Sequence, residues 1–251
     1  MDSVVYALVG WRSHTVVKCD DFAKNNLFVM PDLCGLPMSL GIGYLGMPGV
    51  AAYYGFLEIC KPKAGETVVV TAAAGSVGSL VGQIAKIKGC KVIGFTGSDD
   101  KCRWLEEELG FDKAINYKVG KNAKSLKAVA PDGVDCFFDN VGGELSGTII
   151  NQMNFYGRIA CCGAVSEYNS ESEPKLKSTH TTFILKQLSM EGFVVYRWAD
   201  RWFEGISQIK EMILEGKVKY RETITDGFEN LPEAFIEVLQ GKNFGKAVIK
   251  V

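Results

Sequence analysis

Residues 66–72, ETVVVTA, form a β-branched apolar run, the pattern of a strand buried on both faces. AAAGSVGS follows, and then apolar positions Val77, Leu80, Val81, Ile84, Ala85 and Ile87 predict one helical face that stops at Gly89. The alternation recurs. KVIGF (91–95) predicts a second strand, DDKCRWLEEELG a helix closed by Gly110, and KAINYK (113–118) a third strand. A polar helix precedes VDCFF (134–138), a strand ending in DNVGGE. ELSGTIINQM predicts a helix, GRIACCGAV (157–165) and FVVYRW (193–198) strands, and FEGISQIKEMILEG (203–216) a last helix of this set. Strand–helix units of about thirty residues imply an α/β fold with a doubly wound parallel sheet. Residues 1–40 carry only short strand-like runs, VVYALVGW and HTVVKC. The C-terminus predicts a helix entered at Pro232 and stopped by Gly241, then a final strand. Residues 166–180 form a long polar loop, and no internal repeat occurs.

The turn between the first strand and helix carries candidate chemistry. A dinucleotide fold needs three small positions there: one for the turn, one for close approach of the pyrophosphate, one for helix–strand packing. Ala73, Gly75 and Gly78 supply an A-x-G-x-x-G version, with the helix opening near Ser76. A tight turn in any α/β protein is the alternative, and the flanking strand and amphipathic helix favour dinucleotide binding.

About twenty residues further on, NAD-binding chains place an acid against the ribose hydroxyls. Here the second strand runs into FTGSDDK (95–101). Gly97 and Ser98 leave room for a 2′-phosphate and Lys101 offers it a cation, which favours NADP. Asp99 and Asp100 would reverse that preference if either stood at the strand end. Placed as helix N-cap and early helical residue, they would instead complement the helix dipole.

Composition excludes several classes. Across 251 residues, 47% hydrophobic and 23% charged, the net charge is −1, giving no electrostatic reason to expect nucleic acid or an anionic membrane. Neither a signal peptide nor a membrane span is expected, and a cytoplasmic location fits. The eight cysteines are scattered without C-x-x-C, only two histidines occur, and no zinc-ligand spacing is present, so reduced thiols are expected and no metal. Cys161 and Cys162 are expected to pack on opposite sides of a strand rather than to act as nucleophiles.

The run LGMPGVAAYYGFLEICKPKAGETVVVTAAAGSVGSLVGQIAKIKGCKVIG resembles the medium-chain dehydrogenases/reductases. FDNVGGE, CGAVSEYN, FVVYRW, GFENLPEAF and GKNFGKAVIKV make it more closely similar to the zinc-independent prostaglandin reductases, also called leukotriene hydroxydehydrogenases and alkenal reductases. The resemblance spans essentially the whole chain. It implies a Rossmann-type domain with a GroES-like catalytic domain, NADPH-dependent reduction of C=C bonds conjugated to a carbonyl, and a cytosolic homodimer. Small enones and enals, such as oxo-prostaglandins and alkenals, are the implied substrates.

Carried over by position, the glycine-rich turn falls on Ala74, Gly75, Ser76 and Val77, the phosphate lysine on Lys101 and the adenosine-site tyrosine on Tyr117. Asn243 falls at the nicotinamide half, and Asn140, Cys162, Gly163 and Ala164 on the same cleft wall. Tyr196 lies near the nicotinamide in the family and is the best available donor to a developing enolate. A half-buried structural tyrosine is the alternative reading there. Met47 and Tyr53 are candidate substrate contacts, or ordinary packing. Family members begin with a longer segment carrying P-Y-M-R, so residues 1–40 are expected to be a partial GroES-like β domain. Residues 41–225 would then be the NADP-binding domain and 226–251 a return to the catalytic domain. Two other readings stay open: a quinone-reductase-like relative, and a chain that binds NADPH or a partner subunit without catalysis.

Overall fold

The computed structural model describes residues 4–18, 27–169 and 178–251. Cys19 and most of the polar loop of 166–180 therefore lie outside the described residues.

Six parallel strands form the central sheet: β3 (Thr67–Val70), β4 (Lys91–Thr96), β5 (Lys113–Asn116), β6 (Val134–Asp139), β7 (Met153–Cys161) and β8 (Ser189–Gly192). Their spatial order is β5-β4-β3-β6-β7-β8. The chain thus runs outward from β3 in one direction, returns, and runs outward from β6 in the other. This is the order of dinucleotide-binding sheets, with the reversal between β3 and β6. Elsewhere β1 (Val5–Tyr6) pairs antiparallel with β2 (Phe28–Val29), and β9 (Glu222–Asp226) pairs parallel with β10 (Lys246–Lys250).

Strand alternation sorts the apolar residues onto two faces. Val68 and Val70 of β3 join Val92, Cys136, Phe138 and Ala160 in one core. It is covered by α1 (Met47–Tyr54), α2 (Ser76–Ile87) and α7 (Trp202–Leu214). Val69 joins Ile93, Phe95, Phe137 and Ile159 in the second, beneath α4 (Asn122–Val129) and α5 (Gly143–Ile150). Burial on both faces explains why the strands read as continuous apolar runs. The remaining helices are α3 (Asp99–Arg103), continued as a π-helical stretch over Trp104–Glu108, α6 (His180–Lys186) and α8 (Leu231–Leu239).

Several elements differ from the pattern-based expectation. FVVYRW is not a strand: β8 lies earlier, in the polar segment Ser189–Gly192, and Val195–Arg201 is a 3-10 helical turn. Val195 and Trp198, three apart, point into the core, and the Trp198 indole donates to Glu58 Oε2 at 2.7 Å. The run is apolar because it fills a core through a helical turn. HTVVK forms no strand in its described part (14–18), whereas β2 and β9 carried too little alternation to be predicted. Helix α3 is capped by Ser98, whose hydroxyl accepts from Lys101 N at 3.3 Å, so Asp99 is its first residue and not its cap.

Below the site, Arg158 on β7 clamps the start of β3. Its guanidinium donates to both Glu66 carboxylate oxygens, at 3.0 and 2.6 Å, and to the Cys60 carbonyl at 2.8 Å. Burial alone would raise the Glu66 pKa, but the hydrogen bonds from Arg158 and from Lys63 N outweigh it and hold the carboxyl below its usual range.

Candidate active site

A cleft of about 920 Å³ opens at the carboxyl ends of β3 and β4, beside the reversal of strand order. One wall is the turn Ala74, Gly75 and Ser76, with α2 starting at Ser76 from an N-cap at Gly75. The end of β4 adds Thr96, Gly97 and Lys101, and the end of β5 adds Tyr117 and Lys118. The apolar side of α8 and residues Asn243, Gly245 and Lys246 complete the lining.

The turn is shaped by close approaches. Gly75 N donates to the Ala72 carbonyl at 3.0 Å, and Ala73 N to the Phe95 carbonyl at 2.9 Å. Ala72 itself sits at φ +47, a left-handed conformation that disfavours any side chain and marks local strain. A Cβ on Gly78 would lie 2.5 Å from the Ala72 oxygen, so only glycine lets α2 start this close to the strand. Ser79 Oγ donates to the Gly75 carbonyl at 2.6 Å and meets the Tyr44 hydroxyl at 2.6 Å; burial pushes that phenol's pKa up. The C-terminal loop is stitched onto the turn by Gly245 N, which donates to the Ala74 carbonyl at 2.8 Å.

Asp139, buried at the end of β6, braces the reversal point. Its Oδ1 accepts from Thr71 Oγ1 at 2.9 Å and from the amides of Val141 and Gly142 at 2.9 and 3.1 Å. Its Oδ2 accepts from the Ser146 hydroxyl. Thr71 Oγ1 in turn accepts from Asn140 N at 2.9 Å, while Asn140 Nδ2 donates to the Thr71 carbonyl at 2.8 Å. Carbonyl and carboxylate alike are thereby satisfied in a buried network.

The cationic side of the cleft is well defined. Lys101, only 7% exposed, donates from Nζ to the Gly241 carbonyl at 2.6 Å and lies 5.6 Å from the Phe244 ring centroid. Burial, and then the neighbouring Lys118 ammonium, lower its pKa. Lys246 is lowered by burial as well. Neither Asp99 nor Asp100 lines the cleft: Asp99 Oδ1 accepts from Asn116 Nδ2 at 2.7 Å, and Asp100 pairs with Arg103.

Of the residues singled out by sequence, Ala74, Gly75, Ser76, Lys101, Tyr117 and Asn243 line this one cleft. Asn243 Nδ2 donates to the Gly245 carbonyl at 2.9 Å, which fixes its loop. Val77 packs against the first core. Asn140 is engaged with Thr71, as above. Cys162 and Gly163 send their amides to the Asp139 carbonyl at 2.8 and 3.2 Å, and Ala164 N donates to the Tyr168 hydroxyl at 3.1 Å. Cys161 packs against the second core and Cys162 against the first; burial and then Asp139 push both thiols up to about 12, so neither is a nucleophile. Tyr196 sits half-exposed on the 3-10 turn, close enough to Tyr6 to raise that phenol's pKa after burial has done so. Met47 opens α1, and Tyr53 lies edge-on to Tyr54, 5.1 Å between centroids, in the electrostatic reach of Glu204 and Arg201. Lys118, Thr71 and Asp139 were not singled out. Lys118 follows Tyr117 directly, but nothing in its spacing says that it faces Lys101.

Residues 76–211 match the family model described as zinc-binding dehydrogenase. Prostaglandin reductase 1 of Bos taurus is 49% identical over 250 residues, covering 99% of this chain and 75% of that protein. The chain belongs to the zinc-independent prostaglandin and alkenal reductase family of the medium-chain dehydrogenases/reductases. Within this reductase family, the NADP(+)-dependent 2-alkenal reductase of Nicotiana tabacum is 40% identical, covering 99% of this chain and 71% of that one. The crystal structure of CurA in complex with NADPH from Vibrio vulnificus superposes with a TM-score of 0.84 at 39% identity, over 90% of this chain and 68% of that chain. Although the matching family model is named for zinc, no three of His, Cys, Asp or Glu among the described residues gather as a metal's ligand set. No helix among the described residues is long and apolar enough to cross a membrane.

Proposed function

We propose that this protein reduces the carbon–carbon double bond of α,β-unsaturated ketones and aldehydes with NADPH. The observation that carries the reading is the convergence, in one cleft, of the glycine turn, Lys101 and Asn243 in a chain half identical to a prostaglandin reductase. The cleft suits the cofactor chemically. A helix N-terminus without side-chain bulk faces it, and Lys101, Lys118 and Lys246 give it the positive charge that a polyphosphate needs.

In this reading the amide at Ser76, at the start of α2, holds the pyrophosphate against the bare Gly75, Lys101 and Tyr117 hold the adenosine end, and Asn243 the nicotinamide half. Ala74 and Val77 shape the turn, while Asn140, Cys162, Gly163 and Ala164 form the adjoining wall, held by Thr71, by the Asp139 carbonyl and, at Ala164, by the Tyr168 hydroxyl. NADPH, when bound, supplies the hydride. The chain's own task is to orient the enone and to stabilise charge growing on its carbonyl oxygen. Tyr196 Oη is the proposed hydrogen-bond donor to that oxygen, and Met47 and Tyr53 the proposed substrate contacts. Residues 41–225 carry the cofactor, and 1–40 with 226–251 belong to the catalytic side. Cytoplasmic residence and assembly as a homodimer are part of the same reading; every described cysteine is a free thiol, in keeping with a reducing compartment.

The test is NADPH consumption on mixing with an α,β-unsaturated ketone or aldehyde. Consumption with the enone and none with its saturated counterpart is the expected result. An enzyme that binds NADPH yet consumes none with any enone offered would leave only cofactor binding.

A further inference from the structure

Lys118 enters the reading above only as one of three cations that give the cleft its charge, with no atom of the cofactor assigned to it. It stands on the short 3-10 turn Tyr117–Val119 that follows β5 and lines the cleft with Lys101, Gly97 and Tyr117. Both lysines line the same cleft, and the Lys118 ammonium acts electrostatically on Lys101. Neither ammonium has a carboxylate within ion-pairing distance among the described residues. Lys101 reaches a carbonyl, and Lys118 forms only a backbone bond, its N–H donating to Asn116 Oδ1 at 3.1 Å. The nearby acids are engaged elsewhere: Asp99 with Asn116, Asp100 with Arg103. Two like charges held together without a counter-charge oppose each other unless an anion lies between them.

The space between them is kept by Gly97. A Cβ there would lie 3.3 Å from Lys118 Cε and 3.3 Å from the Tyr117 hydroxyl oxygen, tighter than side chains ordinarily pack. The missing side chain thus leaves a small hollow walled by the Lys118 stem and the Tyr117 phenol, in the cleft that buried Lys101 also lines. Its size and charge suit a phosphomonoester dianion, which offers three acceptor oxygens and nearly two negative charges.

We infer that Lys118 is a second phosphate-reading residue, which with Lys101 and the hollow at Gly97 selects the 2′-phosphate on the adenosine ribose. The inference rests on the NADPH reading and adds to it a specificity residue. Lys101, held by Gly241, is the fixed cation. Lys118, exposed on its turn, closes on the phosphate from the solvent side.

Binding of adenosine 2′,5′-bisphosphate and of adenosine 5′-monophosphate, measured by calorimetry, tests this without any turnover. In Lys118→Gln the bisphosphate weakens about five- to tenfold, the loss of one exposed charge-assisted contact. The monophosphate shifts less than twofold, and Lys118→Arg recovers most of the loss. Adenosine 3′,5′-bisphosphate should bind the parent protein no better than the monophosphate. Equal weakening of both ligands in Lys118→Gln, or none, would overturn the role of Lys118. A parent protein that prefers neither bisphosphate over the monophosphate would sink the NADPH reading itself, a separate outcome. Because Lys118 is exposed, the thermal midpoint of Lys118→Gln should match the parent, which separates lost recognition from lost fold.

Discussion

At the scale of single residues, the turn between β3 and α2 depends most on Gly78. An alanine there would place its methyl 2.5 Å from the Ala72 oxygen and 2.8 Å from Ala73 Cα, both backbone atoms with no rotamer to yield. Moving them shifts Gly75, whose amide bonds Ala72, and Ala74, whose carbonyl holds the C-terminal loop. Gly78→Ala should therefore cost about 1–3 kcal/mol of stability and lower the thermal midpoint by roughly 3–10 °C. NADPH affinity should fall with it; a variant with unchanged midpoint and affinity would show that the turn has slack that the distances deny. The sequence showed that small residues were needed here but not which one bears the strain. Ala72, at φ +47, looks from its type like an ordinary alanine, because strain imposed by neighbouring strands leaves no local signature.

Among the elements, β8 most clearly calls for a partner. It ends the sheet, bonded only to β7, and all four of its residues are exposed. Around it Phe155, Tyr156, Ile184, Leu185, Met190 and Val194 expose apolar side chains. A bare edge with apolar flanks is a pairing surface unless charge or cover blunts it. A second copy of the chain, adding its own β8 edge, is the occupant proposed here. Light scattering should give a dimer for the parent chain, and Met190→Lys should raise the dissociation constant at least tenfold. A monomeric parent at all concentrations, or a dimer indifferent to the substitution, contradicts that assembly. This edge was missed in the sequence for a physical reason. SMEG lacks β-branched residues, and its pairing comes from the β7 register alone, whereas the more strand-like FVVYRW sends Val195 and Trp198 into the core from a helical turn.

Over the whole molecule, the parallel sheet was legible because every strand buried on two faces had to be apolar, and every crossover helix amphipathic. That alternation with the glycine turn made the doubly wound class legible; the strand order, and with it the position of the cleft, comes from the structure. The cationic wall was half legible: Lys101 stands at a spacing set by the fold, while Lys118 is brought to it by pairing of β4 with β5, a contact between distant segments. So too the Asp139–Thr71 brace joins residues 68 apart. In the proposed reaction hydride goes to the alkene carbon of the enone and not to its carbonyl carbon. NADPH deuterated at the transferring position of the nicotinamide decides between them. With an enone as substrate, deuterium should appear on the β-carbon of a saturated ketone. Deuterium on the carbinol carbon of an allylic alcohol would contradict the account.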